Sequence, residues 1–416
     1  MRFFHIADLH FGKSIYKVSL LEDQKDWVKK FVEKAVEKEV DAVVIAGDVY
    51  DRGSPSDGAV YLLDKMLTEL SEHNIPVLMV AGNDDSSQKL AFGSQLFKKH
   101  GVHISRPLES SSTLNSITFE DTHGPVTFWL MPYVYPALIG KTLEREEIRN
   151  QTFDSAVRSL LKEQHIDTTQ RNVLIAHQNV TNNGKEAERG GSESTVGGLG
   201  QIDYTAFTDF GFDYVALGHI HSSCQVGKKT IRYAGTPMCY HFNETHQPNK
   251  GAVLVELGAK GIVSANVIEI EPLHPMREIK DPFDKILKDE KNNTTKNEYI
   301  KVILTDQPVQ PAIYDELQKL FSSRQSILME ITSDYNRSIG SLQEVTYDKI
   351  RGKSLEELFD MFYADRSEDN QMPDEKDKEF LHFAGELQEN HRNNTEQKIE
   401  ELADELLNYL KRQEGV

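Results

Sequence analysis

The chain has 416 residues, enough for two or three domains rather than one small core. Its two cysteines, Cys224 and Cys239, exclude a disulfide framework and a cysteine-rich zinc site, and no run reaches the roughly 20 apolar residues of a membrane helix. A formal net charge of −19 argues against a nucleic-acid partner, yet residues 351–416 carry about half of it, which leaves room for a local basic patch or a partner's surface. The opening "MRFFHIADLH" has no long apolar region with a small-residue cleavage site, so a soluble, intracellular protein is expected.

In chain order, "RFFHI", "DAVVIAGD", "IPVLMVAGN", "NVLIAHQ" and "FDYVALGH" read as strands by length and β-branched content. Between the first three, "LEDQKDWVKKFVEKAVEKE" and "SDGAVYLLDKMLTELSEH" place apolar residues at helical spacing. "PVTFWLMP", "TIRYAG", "GAVLVEL" and "VSANVIEIE" add further strands, so a layered sandwich with sheet inside and helices outside is expected. "EPLHPMREIKDP" has three prolines and no clear period, and a domain boundary falls there, near residue 272. A smaller α+β unit follows, with helices in "DPFDKILKDE" and "PAIYDELQKLFSS" and strands in "EYIKVILTD" and "SILMEITSD". From about residue 353 the pattern is helical. Ser354 and Glu357 form a capping box ahead of Leu355, Leu358, Phe359 and Phe362, and Ile399, Leu402, Leu406, Tyr409 and Leu410 recur near heptad spacing. The charged "DRSEDNQMPDEKDKE" links the two.

Five strand ends finish in ligand-type side chains: Asp8 and His10 in "IADLH", Asp48 in "AGDVYD", Asn83 in "AGN", His177 in "IAH", and His219 and His221 in "GHIH". In extended chain, residues i and i+2 point to the same side, so each such pair can reach one site. One such residue alone reads as a cap or a core group, which is how His5, His241 and His246 are read. Seven ligands at five strand ends suit two metal ions sharing a bridging carboxylate. Mixed oxygen and imidazole donors favour manganese, iron or zinc over calcium or magnesium.

The motifs "DLH", "GDVYD", "GN-D", "H" and "GHIH" resemble the calcineurin-like metallophosphoesterases over about residues 1–270. Within them, "GGLGQIDYTAFTDFGFDYVALGHIHSSCQV" followed by "IRYAGTPMCYHFNE" resembles the SbcD type of nuclease subunit. The resemblance implies an α/β metallophosphoesterase sandwich, mixed β-sheets flanked by helices, with a small α+β capping domain and C-terminal helices. The domains would be residues 1–272 (nuclease), 273–345 (capping) and 346–416 (a helical, partner-binding segment). It implies two divalent ions, Mn2+ in most of the family, one on Asp8, His10, Asp48 and His221, the other on Asp48, Asn83, His177 and His219. The implied activity is phosphodiester hydrolysis at DNA ends or hairpins, in a prokaryotic cytoplasm and at the nucleoid. Implied partners are DNA, a coiled-coil ATPase of the SbcC type gripped by the C-terminal helices, and a second copy of the nuclease domain.

One position departs from the family. Its third motif is Gly-Asn-His-Asp, and here Gly82-Asn83-Asp84-Asp85 puts an aspartate at the catalytic histidine's place. An imidazolium there steadies phosphate charge and helps protonate the leaving oxygen; an ionised aspartate opposes an anionic substrate. Three readings are open: a replacement made to trap an inactive enzyme, a natural variant of weak or altered activity, and a protonated Asp84 acting as general acid. In the family, the aspartate matching Asp51 or its neighbourhood can orient that histidine. Arg52 is a candidate phosphate contact or a surface ion pair, and the glycines of "ERGGSESTVGGLG" suit a loop over the site. Leu9, where SbcD-like chains often carry Trp, points to altered packing only. The alternatives to a nuclease are a stand-alone phosphodiesterase for small substrates and a catalytically silent assembly subunit.

Overall fold

A computed structural model describes residues 1–108, 113–187, 200–246, 250–261 and 263–335. The chain divides into two compact units, Met1–Ser333 and Asp334–Val416. The expected C-terminal helices and the boundary at residue 345 lie outside the described residues.

In the first unit the strands of the two large sheets are β1 (Arg2–Ile6), β2 (Ala42–Ala46), β3 (Val77–Val80), β4 (Val102–Ile104), β5 (Asn115–Asp121), β6 (Gly124–Met131), β7 (Arg171–His177), β8 (Tyr214–Gly218), β9 (Cys224–Val226), β10 (Lys228–Tyr233), β11 (Gly251–Leu257) and β12 (Val263–Glu269). One sheet runs β12-β11-β1-β2-β3-β4 and the other β9-β10-β8-β7-β6-β5. The central pairs β1–β2, β2–β3, β6–β7 and β7–β8 are parallel, so the carboxyl ends of each centre share an edge.

Side-chain alternation explains the layering. Phe3, Ala42, Val44 and Leu78 face Phe128, Val173, Ile175 and Tyr214 between the sheets, and Phe3 meets Phe128 edge-on with ring centres 5.3 Å apart. The alternate residues Phe4, Val43, Ile45 and Met79 pack outward against helices α1 (Leu21–Glu37) and α2 (Asp57–Glu72). Leu174, Val215 and Leu217 of the second sheet do the same against α3 (Phe153–Lys162). With both faces covered, every residue of β2 and β8 is buried, hence their unbroken apolar sequence. Ser56 caps α2 by accepting from the Ala59 N–H, and Thr152 caps α3 by accepting from the Ser155 N–H. This is the mixed α/β sandwich with helices outside that the pattern predicts.

A third, all-parallel sheet joins β13 (Met276–Asp281), β14 (Tyr299–Leu304) and β15 (Ile327–Ser333). Helices α4 (Phe283–Lys291) and α5 (Pro311–Ser322) close a separate core of Ile286, Ile300, Val302, Leu317 and Phe321. The stretch in which the boundary is expected also holds a strand that its lack of period does not announce. Pro272 and Pro275 stay in the connection, but Met276–Asp281 pairs residue for residue with Tyr299–Leu304. It is a half-buried edge strand whose charged residues hide the alternation. Tyr299 fastens this sheet to α1 by donating its hydroxyl to Asp23 Oδ2 at 2.7 Å.

Candidate metal centre

All seven ligand-type residues meet at one edge of the sandwich. Asp8 and His10 follow β1, Asp48 follows β2, Asn83 follows β3, His177 closes β7, and His219 and His221 follow β8. The loops are interlocked by backbone bonds: the Asp8 N–H donates to Gly47 O and the His10 N–H to Asp48 O, each at 3.0 Å. Across the sheets, the His219 N–H donates to Asp8 Oδ1 at 3.0 Å and His177 Nδ1 meets Ala46 O at 2.8 Å.

The geometry that gathers them differs from the extended alternation read from the sequence. β1 ends at Ile6, and Asp8, His10, Asp48 and His219 have φ of 53°, 41°, 48° and 111°. A left-handed backbone at side-chain-bearing residues costs on the order of 1–3 kcal/mol each and persists where the surroundings over-determine it. Glycine allows the close approach. A Cβ at Gly82 would stand 2.1 Å from Asp48 Oδ1, and one at Gly218 would stand 2.0 Å from Ala46 O.

The donor set fits divalent cations. His10 Nε2 faces His221 Nε2 at 3.2 Å, and Asn83 Oδ1 faces His177 Nε2 at 3.1 Å and His219 Nδ1 at 3.0 Å. With His177 Nδ1 donating to Ala46 O, its Nε2 points at oxygen acceptors, including Asp48 Oδ2 at 3.3 Å. Such contacts hold either a proton or a cation. The sets Asp8–His10–His221 and Asp8–Asp48–His177 are buried, each with one ligand atom per residue inside 4.8 Å of the others.

Electrostatics carry the same signature. Burial drives the Asp8 carboxyl up to about 7, against the pull of His177 and His221. Burial also opposes the charge on Asp48, but the adjacent His177 wins and holds Asp48 well below the carboxylate range. For His177, burial works downward and the Asp48 charge overrides it, to about 9. Burial pushes His10 well below its ordinary value.

The two adjacent carboxylates have different roles. Asp85 accepts from the N–H groups of Gly82 (2.9 Å), Tyr50 (3.0 Å) and Val49 (3.1 Å), clamping the third motif loop to the second. Burial and the Asp48 charge lift it to about 6 despite those bonds. The Asp84 side chain is 29% exposed and faces the site, with Oδ2 3.6 Å from His10 Nδ1. It accepts from Asn83 Nδ2, and its own N–H donates to Asp48 Oδ1, both at 2.9 Å. Burial first, then Asp48, raises its pKa. With His10 and Asp48 it forms a third set inside 4.8 Å, so this carboxylate is itself within reach of a cation, which the sequence pattern does not foretell.

Asp51 accepts from Lys13 Nζ at 2.7 Å and lies 3.9 Å from His10 Nδ1. Arg52 is 73% exposed, 3.6 Å from Asp51, at the rim. Gly190, Gly191, Gly197 and Gly198 lie outside the described residues. His5 is a core histidine, bonded to Tyr214 Oη and Leu217 O and kept at about 3 by burial. Leu9 is fully buried in the core. The strand-end logic also missed Glu244, fully buried with Oε1 3.6 Å from His221 Nδ1. It sits in a short helical turn, where only the closing "HFNE" of the SbcD-like stretch marks it. Burial opposes its charge, but His221 and Lys250 hold it near about 2.

Buried aspartates, an asparagine and histidines at the carboxyl edge of a two-sheet α/β sandwich define the class: a divalent-cation phosphoesterase centre. The calcineurin-like phosphoesterase family model matches residues 1–223, more than half of the sequence, and the chain belongs to that family. A model described as the type 5 capsule protein repressor C-terminal domain matches residues 272–367. Over 388 residues, 92% of this chain and 98% of the relative, it is 26% identical to the SbcD subunit of the SbcCD nuclease of Staphylococcus epidermidis (strain ATCC 12228 / FDA PCI 1200). Over 343 residues, 82% of this chain and 87% of the relative, it is 29% identical to the protein of that name from Staphylococcus saprophyticus subsp. saprophyticus. Among the described residues, no helix is long and apolar enough to cross a membrane.

Proposed function

We propose that this chain is an SbcD-type nuclease subunit, a metal-dependent phosphodiesterase that acts on DNA ends or hairpins with an SbcC-type ATPase, and that Asp84 impairs its hydrolysis. The observation that carries the reading is the meeting of seven ligand-type residues at one sheet edge, in a chain alignable over 92% of its length with an SbcD subunit of an SbcCD nuclease. In this reading Asp8, His10, Asp48 and His221 hold one ion, and Asp48, Asn83, His177 and His219 hold the other, with Mn2+ the expected metal. Two such cations supply positive charge to the phosphoryl oxygens and lower the pKa of an attacking water.

The chain's own residues supply preorganisation. The interlocked loops fix the donors before substrate arrives, so none of that ordering is left to the reaction. Asp84 removes a proton donor from the leaving oxygen's side and sets a carboxylate beside an anionic ester. Arg52 stands at the rim as the candidate phosphate contact. Residues 346–416 are the proposed grip on the ATPase. A homodimer is supported by Tyr61, Phe92 and Leu96, which are 75%, 82% and 67% exposed.

The test is Mn2+-dependent hydrolysis of a generic phosphodiester by the full chain carrying Asp84→His, with Asp48→Ala as the knock-out. Turnover that Asp48→Ala removes supports the site; turnover that survives it overturns the assignment. Turnover on the small ester without DNA cleavage would make the chain a stand-alone phosphodiesterase. The Asp84 carboxylate itself favours a second reading, a silent assembly subunit, and complex formation without turnover in either form would select it.

A further inference from the structure

Glu244 occupies a position that the strand-end residues do not account for. It sits in the turn Phe242–His246, fully buried, with each oxygen committed to a different direction. Oε2 is pinned by Lys250 Nζ at 2.7 Å, by the Thr236 hydroxyl at 3.2 Å and by the Tyr240 N–H at 3.2 Å. Lys250 spends its other donors on His221 O at 2.9 Å and on Thr236 Oγ1. Oε1 is thereby aimed at His221, 3.6 Å from Nδ1. The opposite edge of that ring, Nε2, faces His10 Nε2.

We propose that Glu244 is a positioning residue for His221: it accepts a hydrogen bond from the Nδ1–H, fixes the ring's tautomer and rotation, and so presents the Nε2 lone pair to a cation shared with Asp8 and His10. A neutral imidazole carries one N–H, so a carboxylate on one nitrogen leaves the other as the donor. Carboxylate partners of this kind orient ligating histidines and raise their basicity. The arrangement has a parallel in the same centre, where Ala46 O meets His177 Nδ1 and leaves Nε2 facing Asn83 and Asp48. Lys250 and Thr236 then act one step further out, because they hold the carboxylate that holds the ring.

This inference rests on the two-cation reading above, and the experiment separates the two. Full-length protein and its Glu244→Gln and Glu244→Asp variants are titrated calorimetrically with Mn2+. The expected result is a loss of about 10- to 100-fold in affinity at one of two sites in Glu244→Gln, an unchanged second site, and a smaller loss in Glu244→Asp. Equal affinities in parent and Glu244→Gln overturn the role of Glu244 and leave the two-cation reading standing. A parent chain that binds no Mn2+ overturns that reading and the inference together. Should Glu244→Gln fail to fold, 15N-histidine spectra of the unaltered chain decide: an Nδ1–H tautomer for His221 supports the role, and an Nε2–H tautomer overturns it.

Discussion

At the scale of single residues, the "GNDD" turn separates two carboxylates that look alike in sequence. Asp85 faces three backbone N–H groups and ties Gly82 to Val49 and Tyr50, the neighbours of Asp48. Asp85→Ala strands three donors, and stability should fall by on the order of 3 kcal/mol. Chemical denaturation of the two proteins checks this; an unchanged midpoint would mean that the clamp is replaceable by water. The seven ligand-type residues were legible because side-chain type and strand end are both local properties. Which aspartate clamps and which faces the centre was not legible, since that depends on where donors from another strand's loop arrive. Nor was the left-handed backbone at Asp8, His10 and Asp48, which is imposed by the bonds between the β1 and β2 loops.

At the scale of elements, strands buried on both faces announced themselves as unbroken apolar runs, whereas β13 did not. Its sequence, Met-Arg-Glu-Ile-Lys-Asp, is half-buried, and its place is fixed by β14 and by an ion cluster rather than by a hydrophobic period. In that cluster Arg277 reaches both oxygens of Glu290 at 2.8 and 2.9 Å, and Arg324 meets Glu290 Oε2 at 2.7 Å. Burial opposes the charge on Glu290, but the two arginines hold its pKa down at about 2 from 4.5. A depressed folded-state pKa stabilises above the unfolded value, and that contribution is lost as pH falls through the folded one. Glu290→Gln should therefore cost about 2 kcal/mol near neutrality, and the gap to the parent should close between pH 4.5 and about 2. Thermal melts across that range decide it; a gap constant with pH would remove the charge from the explanation.

At the scale of the whole molecule, the fold places a preformed acidic and imidazole-rich centre where two sheets end together, in a chain of the calcineurin-like phosphoesterase family that is similar over most of its length to an SbcCD nuclease subunit. Phe97 lines a groove with Asp64, Leu67 and Thr68 of α2; the exposed Tyr61 lies on the same helix, and the exposed Phe92 and Leu96 shortly precede Phe97 in the chain. If a second copy covers them, Phe92→Glu should shift sedimentation from dimer to monomer, and a parent chain already monomeric would remove the homodimer. The most direct measurement is Mn2+-dependent cleavage of linear and hairpin-ended DNA by Asp84→His beside the unaltered chain. A gain of about 100-fold or more, confined to the histidine form and abolished by chelation, is the predicted result. Equal turnover by both forms would contradict the impairment assigned to Asp84, and no turnover by either with cations bound would contradict the nuclease itself.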